Sequence, residues 1–124
     1  MSVLGEFYKE MTSIGVPYEF MRWTGDAQDV YFVGEYSETP TATEDGYKES
    51  TILVTGTAKG TWLELERYRA MIENHFPAVY GLRKSTDTGA VVFYYDNSFP
   101  VDPGEAELKR IQINIAVKEW KGAM

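Results

Sequence analysis

The segment TGTAKGT, residues 55–61, is the part of the sequence most similar to a phosphate-binding loop. It follows a strand-like run and leads into a helical pattern, the setting in which backbone N–H groups can cradle a phosphate. A P-loop, however, has four residues between its glycines and ends in Gly-Lys-Ser/Thr. Here only three residues separate Gly56 from Gly60, and Lys59 precedes the second glycine. We therefore interpret the segment as a turn between a strand and a helix, where an anion would bind only incidentally.

His75 is the single histidine of the chain, and there is no cysteine. The lack of cysteine removes thiolate nucleophiles and Cys-based zinc or iron–sulfur sites. As a general base, His75 would need a nucleophile beside it, and the sequence contains no G-x-S-x-G or comparable motif. Its place in the last turn of a predicted helix favours a structural role, since a cation interacts well with that end of a helix. The sequence predicts no catalytic residue, no metal and no cofactor, so we expect a protein that is not an enzyme.

Carboxylates are numerous, but their spacing matches no known site. Glu44-Asp45-Gly46 lacks the alternating oxygen ligands and the distal glutamate of an EF-hand. No carboxylate stands within an apolar run that would raise its pKa, as the acid of a glycosidase requires. We interpret most of them as solvated. The aromatic run Phe93, Tyr94 and Tyr95 could stack a sugar or a base, but it is more typical of a core and its rim.

Composition excludes several classes of partner. A net charge of −7 repels phosphate backbones and predicts no specific binding of nucleic acid. The N-terminal residues lack the layout of a signal peptide, and no apolar run is long enough to span a bilayer, so we expect a soluble intracellular protein without a membrane partner. A length of 124 residues fits one domain, which we assign to residues 1–124.

Hydrophobic periodicity predicts the first helix and three strands. Apolar residues recur at helical spacing over residues 2–14, and Gly15 and Pro17 end that pattern. Short extended runs follow in PYEFMRW and in VYFVGEY, residues 30–36. A third strand is predicted in YKESTILVTGT, where Ile52 and Val54 share one face and Leu53 takes the other.

A second helix and two further strands complete the predicted fold. Thr61 and Glu64 form a capping box, and the helical pattern that starts there ends before Pro77. AVVFYY, residues 90–95, predicts a strand, and KRIQINIAVKEW alternates apolar and polar residues along its whole length. The sequence thus predicts an α+β domain in the order α-β-β-β-α-β-β. Its antiparallel sheet would have four to five strands, with two α-helices packed on one face.

The order of these elements resembles the tail-terminator, tail-completion and head-tail joining proteins of long-tailed bacteriophages and prophages. The shared layout is an N-terminal helix, an extended start at Val16-Pro17-Tyr18, and a strand that runs into the polar stretch YSETPT. It continues with the returning strand YKESTILVTGT, the helix TWLELERYRAMIENHF and the closing strand RIQINIAVKEW. The resemblance covers nearly the whole chain.

This resemblance implies a structural subunit of the virion, assembled in the cytoplasm of the host bacterium. Copies would form a ring, commonly a hexamer, that terminates the tail tube and joins it to the head connector. The implied partners are other copies of the chain, the tail-tube protein and head-connector proteins, through closing contacts between two different patches of each subunit. The expected interface residues lie in the polar stretch and on the polar face of the last strand: Glu38, Thr41, Thr43, Glu44, Asp45, Lys48, Arg110, Gln112, Asn114 and Lys118.

Two other functions remain open from the sequence. One is a monomeric or dimeric α+β module that binds a small ligand in a pocket made by Trp23, Trp62 and Tyr94. The other is a small hydrolase whose site has no recognisable motif. A stable monomer in solution would favour the first of these over the ring.

Overall fold

The computed structural model describes residues 3–24, 29–42, 47–86, 89–104 and 107–121, and side chains are described for these except 38–42 and 121. Two helices and six strands follow one another along the chain. Their bounds are α1 Val3–Ser13, β1 Tyr18–Phe20, β2 Val30–Ala42, β3 Tyr47–Lys59, α2 Trp62–His75, β4 Leu82–Thr86, β5 Gly89–Val101 and β6 Leu108–Lys121. Both predicted helices are confirmed to within a residue or two at each described end.

The strands form one curled sheet with the shape of a half-barrel, in the order β1-β2-β3-β6-β5-β4. β1 runs parallel to β2, and all other neighbours are antiparallel. Strands make up 54% of the structure. The predicted fold class, an antiparallel sheet of four to five strands, is therefore wrong: the sheet is mixed and has six strands.

Physical reasons explain both errors. β4 has the sequence LRKST, which lacks the apolar alternation of a half-buried strand because it lies at the edge of the sheet and pairs only with β5. β1 has only three residues, too few for sequence to indicate the direction in which it pairs. Its parallel arrangement is anchored by the backbone, where Phe32 N donates to Pro17 O at 2.8 Å.

Both helices lie on the same face of the sheet, which we call the covered face. The buried side chains of α1 and α2 include Phe7, Met11, Leu65 and Ile72, and the C-cap residue of α2, Phe76, is buried with them. The strands contribute alternate residues to the same core: Phe32, Ile52, Val54, Val91, Phe93, Tyr95, Ile111, Ile113, Ile115 and Val117. Phe7 is central, because its ring lies 5.3 Å from the rings of Tyr18 and Phe76 and 5.5 Å from that of Phe93. Burial of these side chains supplies most of the driving force for folding.

Two glycines let aromatic rings lie flat on the covered face. A Cβ added at Gly34 would stand 2.0 Å from Tyr18 Oη, and one at Gly56 would stand 2.3 Å from Phe32 Cε2. Tyr18 is 5% exposed and Phe32 is fully buried. Burial also raises the pKa of Tyr18, because the phenolate form would lose its hydration. Each glycine is required by close approach of a ring rather than by an unusual backbone conformation.

The helix α2 starts where the capping pattern indicates, but without the predicted hydrogen bond. Thr61 occupies the N-cap position in an extended conformation, and its side chain makes no capping bond. The exposed surface of α2 carries ion pairs instead, in which Arg69 contacts Glu66 at 3.0 Å and Glu73 at 2.8 Å. Exposed pairs of this kind stabilise a helix by only a few tenths of a kcal/mol each, roughly 0.3–0.5 kcal/mol.

His75 takes part in a charged cluster that joins three elements. Its Nε2 lies 2.7 Å from Oε1 of Glu10 on α1, and Nζ of Lys84 on β4 lies 3.1 Å from Oε2 of the same carboxylate. Burial works against ionisation of Glu10, but the hydrogen bonds and charges of His75 and Lys84 outweigh it and hold the pKa of Glu10 below its ordinary value. The cluster ties both helices to the β4 edge. His75 thus has an orienting carboxylate but no nucleophile in these contacts.

Candidate functional site

The face of the sheet opposite the helices, which we call the open face, carries no helix or strand of the described chain. Arg110, Gln112, Asn114 and Lys118 lie on it, since they alternate with the buried residues of β6. Of the other predicted interface residues, Glu38 and Thr41 belong to β2, and Lys48 lies in β3 with its backbone opposite Ala42. Thr43, Glu44 and Asp45 lie outside the described residues. The structure therefore separates the predicted set into a face and an edge.

A chain of polar side chains crosses the middle of the open face. Thr55 Oγ1 donates to Gln112 Oε1 at 3.2 Å, and Gln112 Nε2 donates to Asn114 Oδ1 at 3.2 Å. Asn114 Nδ2 then donates to Asn97 Oδ1 at 2.7 Å. The polar groups of Gln112 and Asn114 are thus partly satisfied within the protein, which orients them on β6. Side chains held in this way present a fixed polar surface rather than flexible contacts.

A basic and aromatic group lies at one end of the open face. Lys118 Nζ stands 5.2 Å from the ring centre of Tyr47 and 5.5 Å from that of Tyr94. Tyr47 also contacts Trp120, with ring centres 5.3 Å apart. The lysine is therefore held between two rings by cation–π attraction.

The aromatic residues predicted to form one pocket lie in three separate grooves. Trp62 lines a groove of about 440 Å³ with Pro100, Val101 and Leu108. Tyr94 lines another of about 340 Å³ with Val79 and Lys118. Trp23 lines a third, also of about 340 Å³, which we call the Trp23 groove; its walls include Arg22, Trp23, Tyr31, Thr55, Thr57 and Arg110. The predicted common pocket is not formed.

The two edges of the sheet are stepped: the three-residue β1 protrudes on one edge and the five-residue β4 protrudes on the other. A row of paired residues at the level of β1 contains Tyr18, Phe32, Gly56, Ile111 and Pro100. A second row, at the level of β4, contains Glu38, Ser50, Val117, Phe93 and Leu82. Each row is five strands wide. The first row begins with β1 and ends at β5, whereas the second begins with β2 and ends at β4, so each edge has one protruding short strand.

The steps differ in chemical character. Beside β1, Phe20 and Met21 are 40% and 60% exposed, and in the last part of β5 Phe99 is 47% exposed. At the other level, β4 carries the exposed Arg83, whereas the exposed Glu35 of β2 lies three residues before Glu38, close to the end of β1. One pair of steps thus carries exposed apolar side chains on both edges, and the β4 step carries a cation. Periodicity in the sequence could not reveal this arrangement, because it depends on strand order and register.

Beyond Gly34, β2 pairs on one side only within the described chain, with β3. Its register is irregular between Glu38 and Ala42, and Pro40 in this interval has no backbone N–H to donate. Bulges and prolines limit uncontrolled pairing at sheet edges. A partner strand could therefore extend the hydrogen-bond ladder over only part of this edge.

The described chain gives no sign of a metal centre or a membrane span. No group of three or more His, Asp or Glu side chains capable of holding a metal ion occurs in the part of the chain that the structure describes. Within that same part, neither helix has the length and hydropathy needed to cross a bilayer. Comparison of the chain with known protein families gave no match, and comparison with curated protein sequences gave none either.

Proposed function

We propose that the chain is a structural subunit that associates with copies of itself through its two stepped edges and closes into a ring. The ring would terminate the tail tube of a long-tailed phage or prophage and join it to the head connector. The observation that carries this proposal is that each edge protrudes at the level where the other edge is recessed. β4 of one copy fills the gap beside β2 of the next, while β1 of that second copy fills the gap beside the end of β5.

Strand directions and charges support the contact. β4 and β2 run in the same direction, so they would meet in parallel, whereas β1 and β5 run in opposite directions and would meet as an antiparallel pair. Arg83 would approach the part of β2 that contains Glu38, and a charge of opposite sign there favours one register over others. At the other step, a neighbouring strand would cover part of the exposed ring of Phe20 on the covered face and of Phe99 on the open face.

This contact joins two different patches of each subunit, which makes it heterologous. Such contacts generate a ring when the rotation between neighbours closes. The curl of the sheet supplies a rotation between the two edges of each copy. A ring of continuous sheet would leave the open face on a surface where the tail tube and the connector could bind. Such a ring would act in the virion, after assembly in the bacterial cytoplasm.

Electron microscopy of tail tubes tests this function. Tubes polymerised from the tail-tube protein are expected to carry an extra disc at one end after the chain is added, and to stop growing at that end. Phe99→Asp would place a charge at the apolar step and abolish the disc. Leu63→Asp, which adds the same charge at a side chain 75% exposed on α2, is the matched control and would leave the disc intact. Tubes that remain uncapped and continue to grow with the unaltered chain would contradict the proposal.

A further inference from the structure

Two arginines, Arg22 and Arg110, line the Trp23 groove. Arg110 Nε donates to Thr57 Oγ1 at 3.3 Å, and no ion pair of Arg110 or Arg22 occurs within the described chain. Thr57 is 4% exposed, so it binds Arg110 from the sheet side of the groove. The two terminal nitrogens of the Arg110 guanidinium remain for another acceptor.

Glu19, which lies on β1 beside the groove residue Val33, is already engaged. Glu19 lies opposite Val33 in the β1–β2 pairing, one residue before the end of β1. Its Oε2 accepts a hydrogen bond from Thr24 N and its Oε1 accepts one from Thr24 Oγ1, both at 2.7 Å. These bonds fold the segment after β1 onto itself. They direct this carboxylate toward Thr24 rather than toward the guanidinium groups.

The other wall of the groove is flat and apolar. The rings of Trp23 and Tyr31 lie 5.8 Å apart at an angle of 34°, next to Val33 and Met21. Met21 has a φ of 72°, a left-handed conformation that residues other than glycine adopt rarely. It is held there by the hydrogen bond from Met21 N to Gly34 O at 2.8 Å. Strained backbone of this kind is concentrated at ligand-binding positions.

We propose that the Trp23 groove binds a small organic anion, in which a carboxylate or phosphate is joined to a flat apolar group. Arg110 would receive the anionic head through its terminal nitrogens, and Arg22 would add a second positive charge at the rim. Guanidinium groups pair with both head groups in the same forked geometry. The flat group would lie against Trp23 and Tyr31. A groove of about 340 Å³ has room for a ligand of this size. The site does not depend on ring formation.

Titration of the ¹⁵N-labelled full chain, followed by NMR, tests the proposal with benzoate, phenyl phosphate, inorganic phosphate and benzamide. Benzoate or phenyl phosphate is expected to give saturable shifts at Trp23, Thr57 and Arg110, at least tenfold tighter than neutral benzamide. The tighter of the two identifies the preferred head group. Inorganic phosphate that binds as tightly as phenyl phosphate would overturn the role of the flat wall.

Arg110→Gln and Arg22→Gln are expected to weaken binding of the tighter probe, the former by at least tenfold. Arg67→Gln removes the same charge from the exposed surface of α2 and would leave the affinity unchanged. Arg22 is exposed, so its variant remains informative even if Arg110→Gln perturbs the sheet. Binding that is absent for every probe, or equally strong in both groove variants and the control, would overturn the proposal.

Discussion

Replacement of Gly34 by alanine tests how the covered face is packed. The new Cβ would stand 2.0 Å from Tyr18 Oη and 2.8 Å from Cε1 and Cζ of the same ring, well inside contact distance. Gly34 has no positive φ, so alanine brings no backbone strain of its own. Any loss of stability must therefore come from displacement of Tyr18, whose ring packs edge-on against Phe7 at 5.3 Å.

The expected cost follows from this crowding. Forcing extra atoms into a packed core costs about 1–3 kcal/mol, because side chains leave their rotamers or the backbone shifts. The substitution also restricts the unfolded chain, which offsets about 0.4–1 kcal/mol of that cost. We expect a net loss of about 1–2 kcal/mol, or a fall of roughly 3–8 °C in Tm for a domain of this size.

Urea unfolding followed by circular dichroism measures the free energy of unfolding for Gly34→Ala, Tyr18→Phe and the double variant. Tyr18→Phe removes the oxygen that makes the closest contact, so part of the loss should disappear in the double variant. The coupling energy is expected to be about 0.5–1 kcal/mol. Unchanged stability of Gly34→Ala, or strictly additive effects, would refute the described packing.

Three further predictions concern the charged cluster, the polar stretch and the β4 edge. Glu10→Gln should lower the free energy of unfolding by about 1 kcal/mol at neutral pH. Folding lowers the pKa of Glu10, so the difference in stability between the original chain and Glu10→Gln should be full above the ordinary carboxyl pKa. It should vanish as the pH falls through the lower pKa of the folded state. A difference in stability that persists in strong acid would contradict this prediction. Deletion of residues 41–45, which removes the end of β2, should change the free energy of unfolding in urea by no more than about 1 kcal/mol but abolish oligomers in sedimentation, because a change of length between two paired strands costs little. Loss of solubility would show instead that the stretch is structural. Arg83→Glu should weaken self-association at low salt more than at high salt, because screening acts on exposed charges, and an effect independent of salt would argue against an electrostatic step.

The elements with strong periodicity were predictable from sequence. Ile111, Ile113 and Ile115 alternate with polar residues, and the structure confirms that they are buried on the covered face. Ile52 and Val54 likewise share that face, with Leu53 on the other. In these strands the apolar pattern and the burial have the same physical cause, since only one face of the sheet meets the helices.

The features that determine the candidate sites were not predictable in this way. β4 is polar because it lies at the edge of the sheet, and β1 is too short to indicate its direction. The stepped outline of the sheet could therefore not be predicted from the sequence. The Trp23 groove joins residues from β2, β3, β6 and the segment after β1, which are distant in sequence. Arg110 was predicted to lie at an interface on the polar face of β6, but its bond to Thr57 depends on the β3–β6 register. Trp23 was predicted to share a pocket with Trp62 and Tyr94, whereas each of the three lines a different groove.

Sedimentation velocity over a range of protein concentrations, with and without tail-tube protein, measures whether the chain closes into a ring. We expect one closed oligomer of defined mass. Phe99→Asp should convert it to monomer, whereas the matched Leu63→Asp variant should retain it. A chain that stays monomeric at high concentration and forms no ring when the tail-tube protein is present would contradict the account.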